Sequence, residues 1–117
     1  MIMRKIALIL GCALLVAMAI LHGSGFAYVN GLFQASNAPS FLKDVFPVLF
    51  LLPSLQLLGL AAFGFLSTYL ATAAQRVQLL TGILVLIDAL LACWAQAWVP
   101  GILLTVAAGC FGVSARA

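Results

Sequence analysis

Long apolar runs separated by short polar breaks define the pattern of this chain. The clearest run covers residues 77–99, between Arg76 and the pair Pro100 and Gly101. At about 1.5 Å per residue, a helix of this length would cross a hydrocarbon core of roughly 30 Å. The pattern predicts an all-α fold, a four-helix transmembrane bundle. We place its helices at about residues 6–21, 40–74, 77–99 and 101–114.

The segment between the first two predicted helices, residues 22–39, has a mixed pattern. It carries glycine, asparagine and proline, which favour turns, but also several apolar and aromatic residues. A purely polar loop would not need those apolar residues. We therefore predict an outer loop that contains a short interfacial or re-entrant helix. Within it, Tyr28 suits the level of the lipid headgroups.

Composition supports a membrane protein. The chain is 67% hydrophobic and 6% charged, with a mean hydropathy of +1.31. Soluble domains are typically about 45–50% apolar and about 25% charged. We therefore predict one integral membrane domain over residues 1–117, with the lipid bilayer as its first partner. The net charge is +3, but five scattered basic residues form no nucleic-acid patch.

The basic residues predict the orientation of the helices. With four crossings, Arg4, Lys5, Arg76 and Arg116 fall on one side and only Lys43 falls on the other. Because positively charged loops stay in the cytoplasm, both termini are predicted to be cytoplasmic. This topology is typical of a multi-pass protein of a cell membrane, such as a bacterial inner membrane.

The first apolar run has a second interpretation as a cleaved signal peptide. Arg4 and Lys5 would be its basic start, and residues 25–27 its small-x-small cleavage site. We favour a retained first helix, because four helices close the topology more simply. The remaining three helices would keep the same orientation after cleavage, so charge does not separate the two cases.

The sequence predicts no enzyme, metal or cofactor. Cys12, Cys93 and Cys110 lie in apolar runs without a CxxC pair, and His22 is the only histidine. No glycine-rich phosphate loop follows a strand. His22 and Asp88 are expected to differ in membrane depth by on the order of 15 Å, which argues against a catalytic triad.

Asp88 is the main candidate for a functional residue, because it lies in the middle of the third predicted helix. A charged Asp at that depth costs about 2.5–3.5 kcal/mol, and no Lys or Arg lies at the same depth. We expect a protonated Asp88 that is hydrogen-bonded to the second helix or to backbone carbonyls. Spacing places it on one inward face with Thr81 and Ala92. It would bind a proton or ligand, or hold helices together.

Other polar residues are predicted to crowd toward the outer leaflet. With Asp88, they would line an outward-facing cavity of the kind that binds small molecules. Alternatively, some of them would bond the carbonyls that Pro53 frees in a kinked helix. These candidate ligand-binding residues are His22, Tyr28, Ser54, Gln56 and Gln96.

Small residues recur at helical spacing in the last predicted helix. Such spacing lets helix backbones approach closely in lipid. We expect the stripe to pack inside the bundle, or else to form a homo-oligomer or bind a partner. Its residues are Gly101, Thr105, Gly109 and Gly112.

In length and number of spans, the chain resembles the small four-helix bacterial multidrug exporters. The signature of that family is a glutamate in the first helix, whereas this chain has no glutamate and carries the carboxylate of its apolar sequence, Asp88, in the third helix. The function of the exporters is therefore not carried over to this chain. We expect an accessory or assembly subunit of a larger membrane complex. The alternative is a small binding or transport protein for a lipophilic or cationic molecule, using Asp88 and the cavity.

Overall fold

The chain folds into helices in the computed structural model, which describes residues 1–116. None of these residues is in a β-strand, so the predicted all-helical class is confirmed. A 3₁₀ turn at Ser67–Tyr69 follows the third helix. The helices are α1 (Ile2–Ser24), α2 (Phe26–Gln34), α3 (Ser40–Leu66), α4 (Ala74–Trp94) and α5 (Trp98–Ser114).

Three helical segments are long and apolar enough to cross a membrane. The first is Ile2–Gln34, which combines α1 and α2. The other two are Ser40–Tyr69 and Ala74–Trp94. The helix α5 is apolar as well, but it has only 17 residues. The prediction of a membrane protein is thus confirmed at the level of three candidate spans.

The second predicted helix, residues 40–74, ends earlier than expected. In the structure it ends at Leu66, and α4 begins only at Ala74. The hydroxyl groups of Ser67 and Thr68 each donate a hydrogen bond to the carbonyl three residues earlier, at 2.6 and 2.8 Å. Such local bonds compete with the helical pattern, which explains a stop that hydrophobicity alone did not predict.

The boundary between the last two helices also differs from the prediction. The helix predicted at 77–99 ends at Trp94, and Gln96 has a φ of 61°, in the left-handed region. The next helix begins at Trp98, so Pro100 lies in its first turn and not in a loop. Proline is tolerated there, because the first N–H groups of a helix have no intrahelical partner.

The predicted outer loop at residues 22–39 is shorter than expected, because α1 continues to Ser24 and α2 follows it directly from Phe26 to Gln34. The short helix expected there is thus present as α2, which packs on the start of α3, and its interfacial position stays a prediction. The rings of Phe33 and Phe46 stack with centroids 4.2 Å apart. Gln34 Nε2 donates to the carbonyl oxygen of Lys43 at 2.8 Å. That carbonyl has no helical partner, because the residue four positions later is Pro47. The Gln34 side chain thus replaces a missing backbone bond.

The four longer helices share one core. The helix α1 packs against α3 and α5, and α4 packs against α5, whereas α3 and α4 touch each other sparsely. Leu15 of α1, Val85 of α4 and Phe111 of α5 are completely buried. The sparse contact between α3 and α4 leaves a seam between these two helices.

Three glycines make room for the Phe111 side chain. A Cβ atom added at Gly64 would lie 2.6 Å from the ring, and at Gly11 it would lie 3.2 Å away. At Gly82 it would lie 3.1 Å from the Phe111 Cβ atom. These glycines belong to α1, α3 and α4, so one residue of α5 contacts all three other long helices at positions that lack side chains.

The small residues of α5 do not act as one internal stripe. Gly101 is buried, and a Cβ atom there would overlap Cys93 Sγ of α4. In contrast, a Cβ atom at Gly109 or Gly112 would meet no described atom within 4 Å. Thr105 is exposed and donates to its own helix, to the carbonyl of Gly101. The expected internal packing therefore holds for Gly101 alone.

Candidate functional site

A cavity of about 630 Å³ lies between α1, α3, α4 and the start of α5. Met18, Leu57 and Leu104, which are buried, form part of its lining. Its polar lining residues are His22, Gln56 and Asp88. All the other lining side chains of the described chain are apolar. The cavity thus combines an apolar wall with three polar side chains.

Asp88 lies at the edge of the inward face of α4. The buried residues of this helix include Val85 and Ala89, whereas Asp88 is only half-buried. Since successive residues differ by about 100° around a helix, the neighbour of Ala89 is turned aside, toward α3. We expected Asp88 to face the interior of the bundle, and it instead borders the seam between α3 and α4.

Gln56 of α3 bridges that seam to Asp88. Its Nε2 lies 3.2 Å from each carboxylate oxygen. The expected hydrogen bond between the second long helix and Asp88 is therefore present. Among the lining residues that the structure describes there is no Lys or Arg, so an ionised Asp88 would meet no countercharge from the cavity wall. The protonation of Asp88 stays a prediction.

His22 connects the end of α1 to α3. Its Nε2 lies 2.7 Å from the carbonyl oxygen of Phe50, and its ring stacks on the Phe50 ring with centroids 4.5 Å apart. Because a carbonyl can only accept, Nε2 carries the hydrogen. Phe26 and Phe46 contact the same Phe50 ring at 5.8 and 5.7 Å. These contacts fix the orientation of the imidazole.

Ser54 has a different role from the one expected. We considered that Ser54 and Gln56 bond the carbonyls freed by Pro53. Instead, Ser54 Oγ donates to the carbonyl oxygen of Ala19 in α1, at 3.0 Å, and Gln56 donates to Asp88. Ser54 therefore links α1 to α3 and is not part of the cavity lining.

Two further candidate residues lie away from the cavity. Tyr28 on α2 is 74% exposed. Gln96 is exposed in the link between α4 and α5, because α4 ends before it. The structure thus brings together three of the six predicted residues, namely His22, Gln56 and Asp88.

The sequence had no signal for the apolar part of the site. Met18, Leu57 and Leu104 look like any other apolar residues of their helices, and only the packing of the helices selects them. His22 and Asp88 were expected to be separated by depth, yet both line one cavity.

A second hollow, of about 660 Å³, is an open groove between α1 and α3. It is lined by apolar side chains and by Cys12, whose Sγ lies 3.5 Å from the carbonyl oxygen of Ala61. Within residues 1–116, no three His, Cys, Asp or Glu side chains lie together as metal ligands would. The polar cavity is therefore the better candidate for chemistry.

The sequence matches no family model, and no curated protein or solved structure is similar to it. The fold is that of a small helical protein with three candidate membrane spans, and the polar cavity is its candidate site.

Proposed function

We propose that this protein binds a lipophilic molecule with a positively charged head in the cavity beside Asp88. The observation that carries the proposal is the pair Gln56–Asp88 on the wall of a cavity of about 630 Å³. Pockets of roughly 300–1,000 Å³ with apolar walls and few polar groups are typical small-molecule sites. Such a protein could act in binding or in transport, and no catalytic role is proposed.

The charge of the ligand follows from the environment of Asp88. An ionised carboxylate in hydrocarbon is costly unless it is paired. Gln56 offers a neutral amide, which bonds the carboxylate but does not neutralise it. A cation in the cavity would supply the missing countercharge, while its apolar body would contact Met18, Leu57 and Leu104.

We propose a four-crossing topology with both termini in the cytoplasm of a cell, and a bacterial inner membrane as the most suitable location. It is supported by the side on which Arg4, Lys5, Arg76 and Arg116 fall. The helix α5, with 17 residues, spans about 25 Å and would need its flanking residues to complete a crossing. In this topology, α2 lies at the outer interface.

The proposal is tested by comparing two carboxylate variants. Asp88→Asn removes the group that can ionise in the cavity but keeps the shape of the side chain, whereas Asp44→Asn removes the only other carboxylate side chain, which is exposed near the start of α3. Isothermal titration calorimetry, with 4-phenylbutylammonium added to the full chain in lipid nanodiscs, measures the affinity of the protein for this ion. We expect about tenfold weaker binding for Asp88→Asn, because a charge-assisted bond is lost, and no change for Asp44→Asn.

An unchanged affinity of the Asp88→Asn variant would contradict the proposed function. The neutral analogue 4-phenylbutanol serves as the ligand control, since it keeps the apolar body and lacks the charge. Its affinity should be nearly the same for both variants and for the original chain.

A second candidate function, an assembly subunit of a membrane complex or a homo-oligomer, is favoured by the outer face of α5. Thr105 and Gly109 are exposed there, and Gly109 has open space where a side chain would stand. Small residues four positions apart let another helix approach closely in lipid.

Gly109→Leu should therefore abolish any specific association of the chain, because the leucine side chain holds a partner helix away. Chemical cross-linking in native membranes measures that association. Gly59→Leu is the matched control, since Gly59 on α3 also has open space beside it. A chain that stays monomeric and copurifies with no partner would contradict this second function.

A further inference from the structure

The free polar atoms on the cavity wall are mainly hydrogen-bond acceptors. Gln56 directs its Nε2 at Asp88, so its Oε1 remains for other partners. His22 donates through Nε2 to the carbonyl of Phe50, so Nδ1 of the neutral ring can only accept. When it is ionised, the Asp88 carboxylate can accept hydrogen bonds but cannot donate them.

The rest of the wall adds no side-chain donor. Every other lining side chain in the described part of the protein is apolar, and two of the lining residues, Pro53 and Pro100, lack a backbone N–H. A bound head group must therefore bring its own donors if it is to satisfy the acceptors around it.

The aromatic rings of the neighbourhood are engaged elsewhere. Phe26, Phe46 and Phe50 pack on one another, and Phe50 stacks on His22. No Phe, Tyr or Trp is among the described residues that line the cavity. Quaternary ammonium ions are typically recognised by aromatic cages, because they have charge but no N–H group. The cavity wall does not provide such a cage.

Resting on the proposed function, we infer that the cavity selects cations that carry N–H groups, such as primary ammonium, guanidinium or amidinium ions, over quaternary ammonium ions. Both kinds of ion would neutralise Asp88. Only the first kind can also donate to Asp88 and to Gln56 Oε1, which lie together because Gln56 bonds the Asp88 carboxylate. Methyl groups on nitrogen would leave these acceptors without partners and hold the charge farther from the carboxylate.

The inference is tested with two ligands that share one tail. 4-Phenylbutylammonium and trimethyl(4-phenylbutyl)ammonium carry the same charge and differ in their N–H groups. Both are titrated into the full chain in nanodiscs of zwitterionic lipid, and binding to empty nanodiscs is subtracted. We expect the primary ammonium ion to bind about tenfold more tightly, because hydrogen bonds to charged groups contribute strongly. In Asp88→Asn this ratio should fall toward one, and in Asp44→Asn it should not change.

The outcomes separate this inference from the proposal on which it rests. If both ions bind equally well and both lose affinity in Asp88→Asn, the N–H selectivity is wrong and the cation site remains. If neither ion binds, or if Asp88→Asn changes nothing, both proposals are wrong. The comparison within the unmodified chain needs no variant, so it remains decisive even if Asp88→Asn fails to fold.

Discussion

Phe111→Ala should lower the free energy of unfolding by about 3 kcal/mol. Phe111 is completely buried, and its ring lies against Gly11 and Gly64, which have no side chains that could fill the space the ring leaves. Removal of the Phe111 ring would leave an empty space where α5 meets the other three long helices. In lipid, packing contacts supply most of the association energy of helices, so this loss is not compensated by solvent. The free energy of unfolding is measured by denaturation in mixed micelles, with circular dichroism as the signal.

Phe63→Ala is the matched control for this prediction. Phe63 lies on α3 and is 61% exposed, so its ring makes few contacts with the rest of the chain. Its replacement should change the free energy of unfolding by less than about 0.5 kcal/mol. Equal losses for Phe63→Ala and Phe111→Ala would contradict the central position of Phe111.

Gln56→Leu should lower the free energy of unfolding by about 1 kcal/mol, because it leaves the Asp88 carboxylate without its donor. The double variant Gln56→Leu, Asp88→Leu removes both partners and leaves no unpaired polar group. It should be more stable than the single variant, since removing both members of a polar pair can be nearly neutral. The same denaturation measurement, applied to both single variants and the double variant, yields the coupling energy.

Purely additive effects in this cycle would show that Gln56 and Asp88 do not interact. Gln75→Leu is the control for the loss of an amide. Gln75 lies in the first turn of α4 and is exposed, so its replacement should leave the free energy of unfolding almost unchanged.

The sequence predicted the helical class and the candidate spans, because apolar runs of sufficient length report directly on them. It did not predict where the helices end. The stop at Leu66 depends on the hydroxyl bonds of Ser67 and Thr68, and the stop at Trp94 is followed by a left-handed Gln96. Both helix ends are set by local backbone geometry within sequence that remains largely apolar. The hydrophobic pattern therefore does not mark them.

The site could be predicted only in part. Asp88 stood out because a carboxylate in an apolar run is costly, and that argument needs no partner to be known. The partner of each polar residue depends on how the helices are rotated. Residues two positions apart on a helix differ by about 200°, so Ser54 and Gln56 point to different sides of α3, and in the structure the first side meets α1 and the second meets α4. A rotation of this kind cannot be derived from composition or spacing alone.

The seam between α3 and α4 has a consequence for how the proposed ligand would reach Asp88. Gln56 is exposed near the middle of α3, and Leu91, also on the cavity wall, is 57% exposed. In a spanning helix, that depth is the level of the acyl chains. For a ligand of the proposed site in the proposed topology, the relevant concentration is therefore its mole fraction in the bilayer. Among ligands with the same cationic head group, the apparent affinity for the cavity should rise with the membrane–water partition coefficient.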